Sequence, residues 1–119
     1  MRKIDYLVVH CTATPQDTKV HNIISYWKNV LGWKNNGYHY LIDQFGNHTK
    51  ITDLEKVCNG VKNYNSNSIH ISYVGGIDSK GKAVDNRTIQ QKNTLLYLIR
   101  DLKRKFPDAK ILGHRDFQN

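Results

Sequence analysis

Two histidines close short apolar segments at opposite ends of the chain. His10 follows residues 4–9, and His114 follows residues 110–113. If both segments are neighbouring strands, the two imidazoles can converge on one ion, because functional groups of open α/β sheets collect at the carboxyl ends of strands. Imidazole is the commonest protein ligand offered to zinc. The pair therefore predicts a metal site; the alternative is that each histidine is half-buried and bonded to a carbonyl group.

A third ligand for this site is missing from the pattern. A hydrolytic metal ion usually takes three protein ligands and keeps one position for water. Cys11 adjoins His10, but adjacent residues of a strand face opposite sides of the sheet. The sequence therefore offers two strong ligands.

Length and composition limit the class of protein. A chain of 119 residues forms one domain. It has no run of about 18 apolar residues that could span a membrane, and its basic start lacks the apolar segment of a secretory signal, which predicts synthesis in the cytoplasm. Cys11 and Cys58 are too few for a disulfide framework. The net charge of +8 favours an anionic partner such as nucleic acid, wall glycan or a membrane surface.

The apolar pattern predicts an α/β fold in which a single mixed β-sheet is flanked by α-helices. Strands are expected at residues 4–9, 38–43, 49–52, 69–74 and 110–113. The second and third of these form a hairpin around Gly46.

Two helices are expected between these strands. The first has apolar residues at helical spacing from Val20 to Leu31, with Asp17 or Thr18 as its N-cap and Gly32 as its stop. The second follows Thr88, which forms a capping box with Gln91, and ends before Pro107. Its expected core residues are Ile89, Leu95, Leu96, Ile99, Leu102 and Phe106.

Short motifs fall in the order and spacing of a known family. They are VVHCTAT at residues 8–14, GW at 32–33, GYHY at 37–40, YNSNSI at 64–69, VGGID at 74–78 and LGHRD at 112–116. In these blocks the chain resembles the zinc-dependent N-acetylmuramoyl-L-alanine amidases, which include short phage lysozymes of that activity and the peptidoglycan recognition proteins. The resemblance implies their fold and the cleavage of the amide bond between N-acetylmuramic acid and the L-alanine of the stem peptide.

The resemblance also implies the roles of three residues. His10 and His114 match the two zinc-ligand histidines of the family. Tyr38 matches a catalytic tyrosine near the zinc-bound water; the alternative is a strand tyrosine that reflects β-propensity.

Substrate contacts are expected from the loops at residues 12–18, 33–38 and 59–68. The candidate binding residues in the last two loops are Trp33, Tyr64, Asn65 and Asn67. Asn side chains offer both donors and acceptors to sugar hydroxyls and peptide amides. The alternatives are a plain polar turn for residues 63–68 and a core position for Trp33.

The chain departs from the family pattern after its second histidine. In the family, a cysteine or aspartate a few residues beyond that histidine is the third zinc ligand, and the phage enzymes have a catalytic lysine two residues before the cysteine. Those positions would follow Asn119, so residues 1–119 are expected to be a single amidase-like domain truncated at its C terminus. Asp116 is too close to His114 to replace the ligand without a rearranged backbone. We therefore expect an incomplete Zn²⁺ site that binds weakly or is empty, and weak or absent hydrolysis.

A further departure is Gly60, because phage relatives carry a histidine there in the binding groove.

Two other function classes remain open. A non-catalytic muropeptide-binding module on the same fold would also lack a zinc ligand. A nucleic-acid-binding domain would explain the charge, but the chain has no basic stripe interleaved with aromatic residues.

The expected partner is peptidoglycan and not nucleic acid. The protein is expected to be a monomer. It is expected to act on the cell wall after release or export. A prophage lysis gene and a bacterial wall-remodelling enzyme both fit this pattern.

Overall fold

The structure is a computed structural model that describes residues 2–117. Its centre is a five-stranded sheet of β1 (Tyr6–Cys11), β2 (Tyr40–Ile42), β3 (His48–Lys50), β4 (Ser68–Tyr73) and β5 (Lys110–Gly113). The strands lie in the order β3-β2-β4-β1-β5. Strand β3 is antiparallel to β2, and the other neighbours are parallel. The predicted α/β fold with one mixed sheet is confirmed.

The two faces of the sheet differ in chemistry because side chains alternate along each strand. On β4 the apolar residues are Ile69, Ile71 and Tyr73, and the polar residues between them are Ser68, His70 and Ser72, all of them buried. Strand β1 pairs with β4 so that Leu7 lies on the apolar face and His10 on the polar face. The main core therefore lies on one side of the sheet and the predicted ligand on the other.

Helix α2 (Ile89–Lys105) covers the apolar face. Its predicted capping box of Thr88 and Gln91 is confirmed. The helix buries Leu95, Leu98 and Leu102. The prediction is wrong for Ile89 and Leu96, which are 75% and 47% exposed, because both lie off the stripe that the buried leucines define. Within residues 2–117, no helix is long and apolar enough to cross a membrane.

The first predicted helix contains two kinds of helical turn. Helix α1 (Val20–Ser25) continues as a π-helical turn at Tyr26–Val30. Because a π-helical turn closes i→i+5 hydrogen bonds, the α-helical spacing no longer keeps Val30 and Leu31 on the face of Trp27. Trp27 is buried, whereas Val30 and Leu31 are exposed. The helical spacing predicts one buried face that includes Val30 and Leu31, and for these two residues the prediction is wrong. Gly32, at φ +68°, follows this segment as expected.

Some boundaries differ from the predicted ones. Strand β1 extends to Cys11, so His10 lies inside the strand. The N-cap of α1 is Lys19, with no side-chain hydrogen bond, and not Asp17 or Thr18. The hairpin between β2 and β3 turns at Gly46, as predicted, with φ at +87°.

Candidate metal centre

The two predicted ligand histidines lie side by side at one edge of the sheet. Val9 pairs with Gly113, so His10 and His114 continue the register of β1 and β5. Their Nδ1 atoms are 3.1 Å apart. Two zinc–imidazole bonds of about 2.0–2.1 Å at a tetrahedral angle would separate the nitrogens by roughly 3.3–3.4 Å, which is close to the observed distance. The pair therefore fits two ligand positions of a zinc ion, and its role as a ligand pair stays a prediction.

The two histidines differ in exposure. His10 is 3% exposed, and burial, with smaller effects of nearby His70 and His114, lowers its pKa to about 2. Its imidazole is therefore neutral, which is the form that binds a metal. His114 is exposed in a 3₁₀-helical turn at His114–Phe117. The sheet thus fixes one candidate ligand, and the other lies at the solvent edge.

No cluster of three or more histidine, cysteine or acidic side chains that could hold a metal is present among residues 2–117. The Asp116 carboxylate accepts a hydrogen bond from the Gly113 backbone N–H at 2.7 Å, so it is engaged in the turn. Cys11 packs against the core on the apolar face. Within the described residues, the candidate site therefore consists of two imidazoles.

Tyr38 lies next to His10. It precedes β2 by two residues and is not part of the strand, contrary to the predicted start of that strand. The ring centroids of Tyr38 and His10 are 5.0 Å apart, and the Tyr38 hydroxyl donates to the carbonyl of Cys11 at 3.3 Å. Burial raises the pKa of Tyr38 to about 12. The hydroxyl is therefore protonated at neutral pH and available as a donor, while its catalytic role stays a prediction.

A cleft of about 490 Å³ opens beside Tyr38. Its polar and aromatic walls come from the loop after β1 and from the first helical segment, and include Thr12, Thr14, Thr18, Asn22, Tyr26 and Trp27. Of the three predicted groove loops, residues 12–18 contribute most to this cleft. Residues 33–37 and 59–68 do not line it.

Trp33 is partly buried. Its ring stacks on Trp27 at a centroid distance of 6.4 Å and an angle of 17°. It packs against the second apolar cluster, which includes Ile23 and Leu41. This packing agrees with the alternative of a core position for Trp33, while its predicted contact with substrate remains untested.

The binding candidates at residues 64–67 make contacts within the protein. The Tyr64 ring packs against Phe117 at a centroid distance of 4.6 Å. The Asn67 side-chain amide donates to the Asp5 carboxylate at 3.0 Å, near the start of β1. The carbonyl oxygen of the Asn65 side chain accepts backbone hydrogen bonds from its own loop. Their predicted contacts with substrate remain untested.

Comparison with known proteins identifies the family. Residues 1–119 match the family described as N-acetylmuramoyl-L-alanine amidase. The chain belongs to this family. The family is typically zinc-dependent.

Phage endolysins are among the relatives of this amidase. It is 38% identical over 109 residues to an endolysin of Enterobacteria phage K11, with 91% of this chain and 72% of the relative covered. It is 36% identical over 113 residues to an endolysin of Escherichia phage T7, with 94% and 75% covered. The amidase thus spans about three quarters of the length of these relatives.

Solved structures share the fold of this amidase. The Ph2119 endolysin from a Thermus scotoductus MAT2119 bacteriophage has a TM-score of 0.87 and 28% identity, with 100% of this chain and 76% of that chain covered. Peptidoglycan recognition protein-LE, solved in complex with tracheal cytotoxin, a monomeric diaminopimelic acid-type peptidoglycan, has a TM-score of 0.81 and 20% identity, with 97% and 71% covered. The sequence matches support peptidoglycan hydrolysis and do not favour the binding-only alternative.

The sequence analysis missed His70 at the site of this amidase. His70 is fully buried on β4, and its Nδ1 lies 2.9 Å from Nε2 of His10. Burial, with a smaller effect of His39, lowers the pKa of His70 to about 3, so its ring is neutral. A histidine in the middle of an alternating strand was the available signal, because a buried polar side chain needs a hydrogen-bonding partner.

His70 also explains Gly60. A Cβ atom at residue 60 would lie 2.3 Å from Nδ1 of His70. No side chain fits at residue 60 while the His70 ring occupies this position. The space next to residue 60 is therefore filled by an imidazole that comes from β4.

Proposed function

We propose that this amidase cleaves the amide bond between N-acetylmuramic acid and L-alanine of the stem peptide, with Zn²⁺ held by His10 and His114. The observation that carries the proposal is the 3.1 Å approach of their Nδ1 atoms beside Tyr38 in a member of this family. When bound, zinc supplies Lewis acidity to an amide carbonyl and to water.

The amidase's own groups supply binding and charge stabilisation. Tyr38 donates its hydroxyl proton in a hydrogen bond to the developing oxyanion in place of the Cys11 carbonyl. Asn22 and Tyr26, in the cleft wall, offer an amide and an aromatic ring to the sugar and peptide. Trp33 and Asn65 support the shape of the surrounding loops through their internal contacts.

A muropeptide is the proposed partner, and the complex of peptidoglycan recognition protein-LE with a monomeric peptidoglycan supports it. The basic character of the amidase fits the acidic groups of murein and attached wall polymers. Lysines gather around one cleft, which is lined by Lys28, Lys34, Lys50 and Lys56. We propose that the protein acts as a monomer on the cell wall.

The hydrolysis by residues 1–119 is proposed to be slight or absent. Two neutral imidazoles provide no negative charge, whereas a thiolate or carboxylate ligand both holds the ion and offsets its charge. This proposal is tested by a comparison of two chains. One is residues 1–119, and the other continues beyond Asn119 with a segment that contains a lysine and, two residues later, a cysteine.

Purified peptidoglycan is digested with both chains in excess zinc, and the products are analysed by mass spectrometry and end-group labelling. The extended chain is expected to release the amino group of L-alanine without new reducing sugar ends. Tyr38→Phe is expected to lower that rate by roughly 10²- to 10³-fold, while Tyr26→Phe, in the same cleft, serves as the control. Muropeptide binding without any release of L-alanine amino groups by the extended chain would favour the binding-only module.

A further inference from the structure

A chain of hydrogen bonds behind His10 begins in the loop that contains Asn65. The backbone N–H groups of Gly60 and Val61 donate to Oδ1 of Asn65 at 3.0 and 2.7 Å. An amide NH₂ group cannot accept these bonds, so the accepting atom is the oxygen. The same oxygen lies 2.9 Å from Nε2 of His70. Because the oxygen only accepts, Nε2 of His70 carries the proton.

The direction of that bond determines the next one. A neutral imidazole has one N–H donor and one bare nitrogen, so Nδ1 of His70 is an acceptor. It lies 2.9 Å from Nε2 of His10, which must then donate. Nδ1 of His10 is left bare, and this is the atom that lies 3.1 Å from Nδ1 of His114.

We propose that His70 is a positioning residue, which holds His10 in its Nε2–H tautomer and thereby presents a bare Nδ1 to the metal position. The consequence for metal binding rests on the proposed function, whereas the tautomer is a property of the metal-free chain. Ligating histidines commonly donate their second N–H to an oxygen acceptor. In this amidase the acceptor is a second histidine, which is itself oriented by Asn65.

The same geometry assigns the proton between the two ligand histidines. Since Nδ1 of His10 is bare, Nδ1 of His114 supplies the proton of their 3.1 Å contact in the metal-free chain. A metal bound at Nδ1 of His114 would displace that proton to solvent, and Nε2 of the same ring would take one up from solvent. Only the exposed ligand would change tautomer, while His10 and His70 would keep theirs.

Two variants separate the acceptor at residue 70 from its bulk. His70→Asn keeps a hydrogen-bond acceptor near the position of Nδ1, and His70→Leu has a similar size without an acceptor. Long-range ¹H–¹⁵N NMR spectra of the metal-free chains report which ring nitrogen carries each proton. We expect Nε2–H for His10 in the parent and in His70→Asn, and mixed tautomers in His70→Leu.

Zinc affinity, measured by competition with a chelating dye, is the second readout. We expect His70→Leu to bind zinc about 10- to 100-fold more weakly than the parent, and His70→Asn to retain most of the affinity. A parent chain with the proton on Nδ1 of His10 overturns the proposal, and so does a folded His70→Leu chain with parental zinc affinity.

If His70→Leu does not fold or if zinc binding is too weak to measure, the tautomers of the parent and His70→Asn decide the question. The two proposals can fail separately. If NMR finds the expected tautomers but the extended chain releases no L-alanine amino groups, the result supports this inference and counts against the proposed hydrolysis.

Discussion

His10 is hydrogen-bonded within the protein through both of its ring nitrogens, whereas His114 lies at the solvent edge. Nε2 of His10 is bonded to the buried His70, and Nδ1 faces the exposed His114. A change at His10 therefore removes a candidate ligand and also leaves a buried nitrogen of His70 without its partner. A change at His114 removes a candidate ligand and the hydrogen bond to Nδ1 of His10, which lies at the solvent edge where water can replace the donor.

This asymmetry predicts different costs for two alanine variants. Both His10→Ala and His114→Ala should abolish zinc binding. His10→Ala should also lower the free energy of unfolding by about 1–3 kcal/mol, because an unpaired buried polar group carries its desolvation cost. His114→Ala, at an exposed position, should change it by less than about 0.5 kcal/mol. Urea unfolding in a chelator measures both, and equal losses of stability would contradict the assigned hydrogen bonds.

At the scale of elements, the Arg2 side chain makes several hydrogen bonds that attach the loop carrying Asn65 to the N-terminal segment. The Arg2 guanidinium donates to the backbone carbonyls of Leu54, Lys56, Asn65, Ser66 and Ser68. The planar fork of arginine suits several acceptors at once, and lysine lacks this geometry. Arg2 therefore connects residues 54–68 to the start of the sheet.

Arg2→Lys is expected to destabilise the protein by about 2 kcal/mol, because several hydrogen bonds to part-buried carbonyls are lost at about 1 kcal/mol each. Lys3→Ala is the matched control, since the Lys3 side chain is 88% exposed. Urea unfolding measures the difference. Identical midpoints for Arg2→Lys and the parent would show that the five contacts contribute nothing to stability.

The cleft beside Tyr38 is built from elements that need no metal. The metal-free chain is therefore expected to bind a muramyl tripeptide with a free energy on the order of 4 to 8 kcal/mol. Titration followed by NMR should shift the signals of Thr14, Asn22 and Tyr38, which line the cleft. Shifts confined to the lysine-lined cleft around Lys50 would place the ligand elsewhere.

Local signals in the sequence predicted some elements and not others. The capping box at Thr88 and the turn at Gly46 each depend on residues close in sequence, and both were predicted correctly. The π-helical turn was missed because it accompanies the packing of Trp27 in a cluster with Leu41 and Val74, which are distant in sequence. His70 was missed for a similar reason, since its contact with His10 depends on the pairing of β1 with β4.

At the scale of the whole molecule, the polar face of the sheet buries three neutral histidines. Burial is the main cause that lowers the pKa values of His10, His39 and His70, to about 2, 4 and 3. In the unfolded chain a histidine has a pKa of about 6.5. Below that pH the unfolded chain takes up protons that the folded chain does not, so stability is full above pH 6.5 and falls as the pH decreases towards 4.

The metal-free protein should therefore lose up to about 2 kcal/mol of unfolding free energy per buried histidine between pH 7.5 and pH 5. Urea unfolding in a chelator at the two pH values measures the loss. His48→Gln, at an exposed position, should show the same pH dependence as the parent. An unfolding free energy that is equal at both pH values would mean that these histidines are protonated in the folded protein.

The position of a bound zinc ion tests the proposed centre most directly. Crystals of the chain are soaked in millimolar zinc, and anomalous differences are collected on both sides of the zinc absorption edge. The account predicts one principal peak within about 2.0–2.1 Å of Nδ1 of both His10 and His114, with His70 outside the coordination sphere. A principal peak elsewhere, or zinc bonded to Nε2 of His10, would contradict it.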